Sequence, residues 1–224
     1  MPQAAGLSPV APPVGGVIFD FGGVLADMRW DVAAQLEAAH GLPRHSLLET
    51  LYRTELWREI ERGRGELAAW RADAHRLLEA RAGGPLPALH DAWLAARQLI
   101  RPNLALARRL RPAYRTAILS NADLTLRGRL RELAIDHLFD TVVSSAEEGL
   151  AKPEPAIYRL AAERLGLDVT ACVFIDDHED NVRAAEAVGM RGVLYRVDRD
   201  PDLAARLAAL GVVPGQPPHA ASRL

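Results

Sequence analysis

The chain has 224 residues, 49% of them hydrophobic and 25% charged, which is the usual composition of a globular protein. Its 27 basic and 29 acidic residues give a net charge of −2, so no basic surplus points to nucleic acid or to an anionic membrane. The single Cys172 excludes an internal disulfide and a cluster of thiolate metal ligands. No apolar run reaches the ~18 residues that would span a bilayer, and the first residues lack the pattern of a secretion signal. We therefore expect a soluble cytoplasmic protein, a monomer or a homodimer, without nucleic-acid or membrane partners.

Short apolar runs rich in β-branched residues predict five buried strands, at 17–19, 116–119, 141–143, 172–175 and 192–195. Helical patterns separate the last four strands, at about 123–133, 154–165 and 179–188, and another follows near 201–210. Strands that alternate with helices are typical of a parallel sheet covered on both faces. The predicted fold class is therefore α/β, with a Rossmann-like parallel sheet in a three-layer α/β/α core.

Residues 28–101, between the first two strands, show several helical patterns and no strand candidate. We expect an all-helical insert there, a cap on an α/β core formed by 15–27 and 102–213, with Pro102 beginning the helix that returns to the core. All four tryptophans fall in the insert, where they either fill a small helical core or line a pocket that faces the α/β domain. The Pro-, Ala- and Gly-rich ends, 1–14 and 214–224, are predicted to be disordered.

Polar residues follow three of the predicted strands at their carboxyl ends, where ligands bind in open parallel sheets. The first strand ends at Asp20, the second at Ser120-Asn121 and the fourth at Asp176-Asp177. Lys152 follows the third strand and is the one lysine among the 27 basic residues. Ser120, Asn121 and Asp177 could each be helix caps, but a shared position at one sheet edge favours a site.

Three carboxylates at one edge repel strongly, because two like charges 4 Å apart interact by about 4 kcal/mol at an effective dielectric constant near 20. Such a cluster requires protons or a cation, and oxygen ligands without histidine or cysteine favour Mg²⁺. A compact ammonium at Lys152 and a hydroxyl at Ser120 beside the metal would suit a phosphoryl group. An aspartate in that position could attack phosphorus.

Four segments, VIFDFGGVLAD, AILSNAD, GLAKPEPAIY and VFIDDHEDN, occur in this order and resemble motifs I to IV of the haloacid dehalogenase-like (HAD) hydrolase superfamily. The helical insert between motifs I and II resembles that superfamily's first cap class, and the nearest resemblance is to alpha-glucose-1-phosphate-type sugar phosphatases and to the phosphatase domain of soluble epoxide hydrolases. The resemblance implies a nucleophile at Asp20 and a Lys152 clamp on the phosphate and the nucleophile. It also implies that phosphate is held by Ser120, Asn121, Gly22 and Gly23, and that Mg²⁺ is bound by Asp20, the Gly22 carbonyl, Asp177 and the supporting Asp176.

The sequence departs from the family's phosphatases at Gly22, where they usually carry a second aspartate that protonates the leaving group and then activates water. General acid–base help of this kind contributes typically 10²–10⁴-fold to the rate, about 3–5 kcal/mol. Asp27 is a candidate substitute, although it could equally be a cap or hinge residue at the start of the insert. Glu61 and Arg64 are weaker candidates for contacts with the substrate.

The leading hypothesis is a Mg²⁺-dependent phosphatase of small phosphorylated metabolites, in the sugar-phosphate class, that acts through an aspartyl-phosphate on Asp20. A 2-haloacid dehalogenase also lacks the second aspartate, but the Asp176-Asp177 pair would repel its carboxylate substrate. A phosphate-binding or regulatory protein with little turnover is the third possibility, and Gly22 is its main support.

Overall fold

The computed structural model describes residues 12–199 and 202–216. Its centre is a sheet of five parallel strands, which lie in the order β5-β4-β1-β6-β7. These strands are β1 (Gly16–Phe19), β4 (Arg115–Ser120), β5 (Thr141–Ser144), β6 (Cys172–Asp176) and β7 (Arg191–Leu194). The five predicted strands are all present, and the α/β prediction is confirmed.

Helices cover both faces of this sheet because successive side chains of each strand point to opposite sides. Val17 and Phe19 of β1 pack with one group of helices, whereas Ile18 packs with the other. The first group is α6 (Arg101–Leu110), α7 (Leu126–Glu132) and α11 (Leu203–Ala208), and the second includes α9 (Pro155–Leu165) and α10 (Glu179–Ala187). A short α8 (Ser145–Glu148) follows β5 directly. The result is the predicted three-layer core.

The helix α7 begins later than the predicted residue 123 because a side-chain turn precedes it. The Asp123 carboxylate accepts a hydrogen bond from the Thr125 backbone N–H at 2.8 Å, and this local bond competes with helical geometry. The lone Cys172 lies fully buried in β6, and burial raises the pKa of its thiol to about 12. Its thiol is therefore protonated and unreactive near neutral pH.

The helical insert contains α1 (Trp30–Ala39), α2 (Ser46–Tyr52), α3 (Glu55–Ile60), α4 (Leu67–Ala82) and α5 (Leu89–Ala95). Two short strands, β2 (Ala26–Asp27) and β3 (Gln98–Leu99), pair antiparallel where the chain enters and leaves it. The expectation that residues 28–101 contain no strand is therefore wrong, because β3 is too short to leave an apolar pattern in the sequence. This two-stranded ribbon fixes both connections between the cap and the core.

The tryptophans fulfil both of the roles considered for them. Trp57, Trp70 and Trp93 are buried in the cap's own hydrophobic cluster, whereas Trp30 is 42% exposed. Trp30 and Trp57 also line a cavity that faces the core. The cap core is thus continuous with one wall of that cavity.

The predicted disorder at the two ends falls mostly on residues 1–11 and 217–224, which lie outside the described residues. Within the described part the expectation is wrong for Val14, which is 4% exposed and packs in the core, because an apolar side chain beside β1 completes that cluster. Gln216 likewise lies in a turn, where its N–H donates to the Val213 carbonyl. Across the described residues, no helix combines the length and the apolar character that a membrane span requires.

Candidate active site

Three neighbouring strands, β4, β1 and β6, end side by side and bring the polar residues of the sequence motifs together. Asp20 follows β1 directly, whereas Ser120 and Asp176 are the last residues of β4 and β6. All three side chains are buried, and Lys152 reaches them from the loop after α8. The four predicted motifs therefore converge at one sheet edge, as the position of ligand sites in parallel sheets leads us to expect.

Lys152 bridges two carboxylates from inside the core. Its Nζ lies 2.9 Å from Asp20 Oδ1 and 2.6 Å from Asp176 Oδ2, and its side chain is 2% exposed. Burial lowers the pKa of this ammonium, but the attraction of Asp176 and Asp20 outweighs it and holds the pKa above its usual value. The ammonium is therefore charged at every physiological pH and is fixed in place before any ligand binds.

Asp20 is oriented through one of its two oxygens. The Phe21 backbone N–H donates to Oδ1 at 2.7 Å, and Lys152 contacts the same atom. Burial raises the pKa of Asp20 to about 7; Lys152 lowers it, and the neighbouring Asp176 and Asp177 carboxylates raise it further. With these bonds on Oδ1, Oδ2 is the oxygen of Asp20 best placed to act as nucleophile.

Asp176 accepts hydrogen bonds on both oxygens, and this separates its role from that of Asp177. Oδ2 accepts from Lys152, Oδ1 accepts from the His178 backbone N–H at 2.8 Å, and Asn181 Nδ2 lies 3.1 Å from each oxygen. A carboxylate so fully engaged positions Lys152 and the start of α10. This arrangement favours the supporting role for Asp176 rather than direct metal ligation.

Asp177 lies against the backbone of Gly23, at the bend that follows Asp20. Gly23 has φ +79°, and a Cβ built on it would lie 2.2 Å from Asp177 Oδ2. Only glycine permits both this backbone conformation and this close approach. Burial and the charge of Asp176 raise the pKa of Asp177 to about 6. Gly23 therefore makes room for the Asp177 carboxylate.

We expect Gly23→Ala to lower Mg²⁺ affinity by about tenfold or more, because the new Cβ would displace the Asp177 carboxylate. Gly83→Ala is a matched control, since Gly83 has φ +74° but a Cβ added to it would meet no atom within 4 Å. Both variants should lose about 1–2 kcal/mol of stability through backbone strain. Mg²⁺ titrations followed by thermal unfolding should show weakened metal binding in Gly23→Ala alone, and equal affinities in the two variants would contradict this role of Gly23.

The acidic cluster fits a magnesium ion. Single oxygens of Asp20, Asp176 and Asp177 all lie within 4.8 Å of one another. Oxygens on opposite sides of a Mg²⁺ ion are about 4 Å apart, since each binds at about 2.0–2.1 Å. All three donors are carboxylate oxygens, the hard ligands that Mg²⁺ prefers, and Gly22 lines the same cavity with its backbone. The donor set therefore suits the predicted cofactor.

Asn121 fastens the loop that carries Lys152. Its Oδ1 accepts from the Lys152 backbone N–H at 2.8 Å, and its Nδ2 donates to the Lys152 carbonyl at 2.9 Å. The same Nδ2 lies 3.1 Å from Glu61 Oε2 of the cap. The side chain of this predicted phosphate ligand is thus engaged with protein groups, although Asn121 lines the cavity together with Ser120 and Lys152.

A cavity of about 590 Å³ lies between the core and the cap, with the acidic cluster at its floor. Its size is that of a small-molecule site. The turn after α3 closes one side of it, where Glu61 meets Asn121, and Arg62 donates to the Glu154 carboxylate. Gly63 approaches the core so closely that a Cβ on it would lie 2.2 Å from the Ala146 carbonyl oxygen. The cap therefore contacts the core on this side of the cavity.

The candidate substitute acid, Asp27, and one of the weaker candidates for substrate contact, Arg64, lie away from the cavity. The Asp27 carboxylate accepts from the Arg29 backbone N–H at 2.8 Å within the hinge ribbon, and Asp27 is not among the residues that line the cavity. Arg64 makes a paired contact with Glu59 on the cap surface. Glu61 does line the cavity, and burial raises the pKa of its carboxyl.

The sequence does not single out Tyr52 and Arg97, which line the cavity from the cap together with Trp57. Tyr52 ends α2, Trp57 lies within α3 and Arg97 directly precedes β3, so they are distant in sequence and join only when the cap folds. No residue spacing in the sequence predicts that these three side chains line one cavity. The aromatic residues at helical spacing are the one available signal.

A sequence model described as haloacid dehalogenase-like hydrolase matches residues 14–189, which include every residue of the acidic cluster, Ser120 and Lys152. The chain belongs to this family. The predicted HAD-like hydrolase is thereby confirmed, and the fold with its cap agrees with it.

Relatives of the HAD-like chain include proteins named as phosphatases. It is 42% identical over 101 residues to Phosphatase MT3486 of Mycobacterium tuberculosis, a match that covers 44% of this chain and 45% of that protein. It is 28% identical over 181 residues to the sesquiterpene phosphatase astK of Aspergillus oryzae, covering 79% of this chain and 87% of that one. These names support the prediction that this hydrolase is a phosphatase.

Solved structures of HAD enzymes share its fold. A HAD family enzyme of Bacteroides thetaiotaomicron, in complex with magnesium and inorganic phosphate, superposes with a TM-score of 0.62 at 22% identity, over 84% of this chain and 98% of that one. The L-2-haloacid dehalogenase of Xanthobacter autotrophicus gives a TM-score of 0.56 at 23% identity, over 79% and 75% of the two chains. At these identities the likeness establishes the fold alone.

Proposed function

We propose that this HAD-like hydrolase is a Mg²⁺-dependent phosphatase of small phosphorylated metabolites that acts through an aspartyl-phosphate on Asp20. One observation carries the proposal: the buried Asp20 carboxylate is held by Lys152 beside Asp177, at the floor of the cavity between the core and the cap. An oriented carboxylate, a fixed cation and an oxygen-ligand metal site are the parts that transfer of a phosphoryl group to a carboxylate requires.

The reaction follows from the positions of these groups. Lys152 and the Ser120 hydroxyl hold the phosphoryl oxygens, and Asp20 Oδ2 attacks phosphorus while the bond to the leaving oxygen breaks and that oxygen takes a proton from water. Water then attacks phosphorus, releases inorganic phosphate and regenerates the Asp20 carboxylate. Asp20, Asp177 and the Gly22 carbonyl would hold Mg²⁺, which would supply positive charge to neutralise the phosphoryl oxygens. Asp176 keeps Lys152 in place during both steps.

The cap contributes by excluding bulk water from the floor of the cavity. The contacts of Glu61, Arg62 and Gly63 with the core close the site on one side. Closure strengthens the electrostatic interactions inside the cavity and protects the aspartyl-phosphate from uncontrolled hydrolysis. Opening of the cap at the β2–β3 ribbon is then needed for substrate entry and product release.

Sugar phosphates are the substrate class that the motif resemblance proposes. The name of the Aspergillus oryzae relative adds sesquiterpene phosphate esters as a second class to test. The deciding experiment measures phosphate release from an activated aryl phosphate, sugar phosphates and a prenyl monophosphate, with Mg²⁺ and with EDTA. Phosphate release that EDTA abolishes and Mg²⁺ restores is the expected result, whereas turnover that EDTA leaves unchanged would contradict a role for the metal.

The glycine at position 22 predicts a strong dependence on the leaving group. We expect Gly22→Asp to raise kcat/KM for alkyl phosphates by ~10²-fold or more, because an aspartate there can protonate the leaving oxygen. A Cβ on Gly22 would lie 3.3 Å from the Sδ atom at the flexible end of Met28, so the substitution requires only a small shift. Activated aryl phosphates, which need no proton, should gain much less in the same assay.

Gly22→Asn is the matched control for this prediction, because it adds nearly the same volume without a titratable proton. Its kcat/KM for alkyl phosphates should stay near that of the wild type. If Gly22→Asp and Gly22→Asn changed the two classes of ester alike, the missing acid would not be what limits turnover.

We propose that Asp27 supports the hinge and does not transfer protons, since its carboxylate is bound to the Arg29 backbone. Asp27→Asn should therefore leave the shape of the pH–rate profile unchanged, because the amide oxygen can accept the same hydrogen bond. The profile of kcat/KM against pH measures this directly. Loss of one limb of that profile in Asp27→Asn would instead assign it the acid–base role.

A 2-haloacid dehalogenase remains the second candidate, because such enzymes also lack the second aspartate, which is Gly22 here, and the fold is shared with one of them. The adjacent carboxylates Asp176 and Asp177 weigh against it, since they would repel the carboxylate of a haloacid. Halide release from 2-chloropropionate in EDTA, without phosphatase activity, would favour it. Phosphate binding without either reaction would favour a binding or regulatory protein.

A further inference from the structure

The guanidinium of Arg97 is a feature of the cavity that the phosphatase chemistry does not use. It is half-buried in the cap wall of the cavity. Among the described residues, no carboxylate lies within ion-pair distance of it, and its buried Nε has no hydrogen-bond partner. A buried cation without an anion is costly, so proteins generally pair such groups or use them to bind a ligand.

The other arginines of the cap behave differently. Seven of them lie within 4 Å of a carboxylate, and Arg71, for example, lies 2.7 Å from Asp91. The other three, Arg44, Arg53 and Arg101, make no such pair in the described structure, but they are exposed, and water can hydrate them. Arg97 is therefore distinguished by combining burial with the lack of a carboxylate partner.

Arg97 is also held rigidly. Its Nη2 donates to the Tyr52 hydroxyl, and its Cζ lies 5.9 Å from the Tyr52 ring centroid and 5.8 Å from that of Trp93. Trp93 is fully buried, and its Nε1 donates to the Met28 carbonyl at 2.7 Å. The guanidinium thus rests on an aromatic platform fixed to the hinge, which lowers the entropy lost when a ligand binds.

We propose that Arg97 binds a second oxyanion of the substrate, a carboxylate or a further phosphate, while the phosphoryl group that reacts occupies the floor of the cavity. The planar fork of a guanidinium matches an oxyanion with two oxygens. Apolar side chains beside it, including Met28, Trp30 and Trp57, would contact the carbon frame between the two groups. This inference rests on the proposed function and narrows its substrates to phosphate monoesters that carry another acidic group.

The test compares ligands that differ only in the second acid. Benzylphosphonate and 4-carboxybenzylphosphonate, which cannot be hydrolysed, are titrated by calorimetry in the presence of Mg²⁺, with a benzylic bisphosphonate as the phosphate-type arm. Phenyl phosphate and 4-carboxyphenyl phosphate are compared in parallel by kcat/KM. Arg97→Met keeps an apolar stem over the rings and removes the charge, and Arg97→Lys restores the charge without the fork.

Arg71→Met is the matched control, because Arg71 also lies over a tryptophan ring, at 5.6 Å from the Trp70 centroid, but does not line the cavity. We expect Arg97→Met to lower the affinity for the carboxylated ligand about 10–100-fold and the affinity for benzylphosphonate less than about twofold. The affinity of Arg97→Lys for the carboxylated ligand should lie between those of the wild type and Arg97→Met. The loss should fall on KM rather than on kcat. Arg71→Met should change the affinity for neither ligand.

Equal losses on both ligands, or no loss on either, would overturn the role of Arg97 as an oxyanion site. If the protein hydrolyses phosphate esters, prefers those without a second acidic group and is unchanged by Arg97→Met, the proposed function stays intact and this inference alone is rejected. If no ester is hydrolysed, the proposed function fails, and the calorimetric ratio between the two phosphonates still decides whether Arg97 binds the second anion. Whichever of the carboxylated phosphonate and the bisphosphonate binds more tightly identifies the oxyanion that the site prefers.

Discussion

Asp20→Asn is expected to abolish phosphate release, with a loss of roughly 10⁴–10⁶-fold in kcat, because the amide cannot form an acyl phosphate. The fold should survive. Burial already raises the pKa of Asp20 to about 7, so the charged carboxylate is held in the core at a cost that a neutral amide avoids. The thermal midpoint without metal should therefore be equal to or above that of the wild type.

The same variant should respond less to metal. Mg²⁺ that binds only the folded protein raises its stability by RT ln(1 + [Mg²⁺]/Kd), and Asp20→Asn weakens this binding because it removes one charged ligand. Asp180→Asn is the matched control, because Asp180 is an exposed carboxylate at the edge of the same cavity and makes no contact with Lys152 in the described structure. It should keep both its activity and its response to Mg²⁺. Substantial turnover by Asp20→Asn would reject Asp20 as the nucleophile.

Lys152→Met is expected to lower both the catalytic activity and the stability of the protein. It removes the one cation that contacts Asp20 and Asp176 among the described residues, at 2.9 and 2.6 Å, and leaves two buried carboxylates uncompensated. Removal of one partner from a buried ion pair typically costs about 3–5 kcal/mol. Loss of the fixed charge on the phosphoryl oxygens should lower kcat/KM by ~10³-fold or more.

Urea unfolding without metal measures the stability loss, and a double variant identifies its cause. Adding Asp20→Asn to Lys152→Met removes one of the two uncompensated charges, so the double variant should be more stable than Lys152→Met alone. This non-additivity is the signature of residues in one electrostatic network. A double variant less stable than either single one would show that Lys152 stabilises the fold by packing and not by charge.

The chain could be placed in its fold class from the sequence because strand ends and helix ends are local signals. Each strand of the core is a short run of apolar residues, and the polar residue that ends it, such as Asp20 or Ser120, marks the sheet edge. The parallel arrangement then brings these residues together, because neighbouring parallel strands end on the same side of the sheet. The order of the strands along the chain was therefore enough to predict that Asp20, Ser120, Lys152 and Asp177 lie close together.

The remaining features could not be predicted because they are contacts between distant residues. Nothing in the sequence near Gly23 or Gly63 shows that one faces the Asp177 carboxylate and the other the Ala146 carbonyl. The two-residue strands of the hinge ribbon are too short to leave a periodic pattern. The bonds that engage Asn121 with the Lys152 backbone, and Asp176 with Asn181, likewise depend on how loops meet.

The covalent intermediate on Asp20 can be tested by trapping the phosphorylated enzyme. The wild type is mixed with Mg²⁺ and an activated aryl phosphate, quenched in acid within the first turnover, digested and examined by mass spectrometry. Because Gly22 provides no base for the second step, we expect a burst of aryl alcohol close to one equivalent and a phosphoryl group on Asp20. Gly22→Asp should shorten the life of this adduct, and Asp20→Asn should lack it. Steady release of aryl alcohol without a burst, without a phosphoryl group on Asp20 and with turnover retained in Asp20→Asn would contradict the aspartyl-phosphate mechanism.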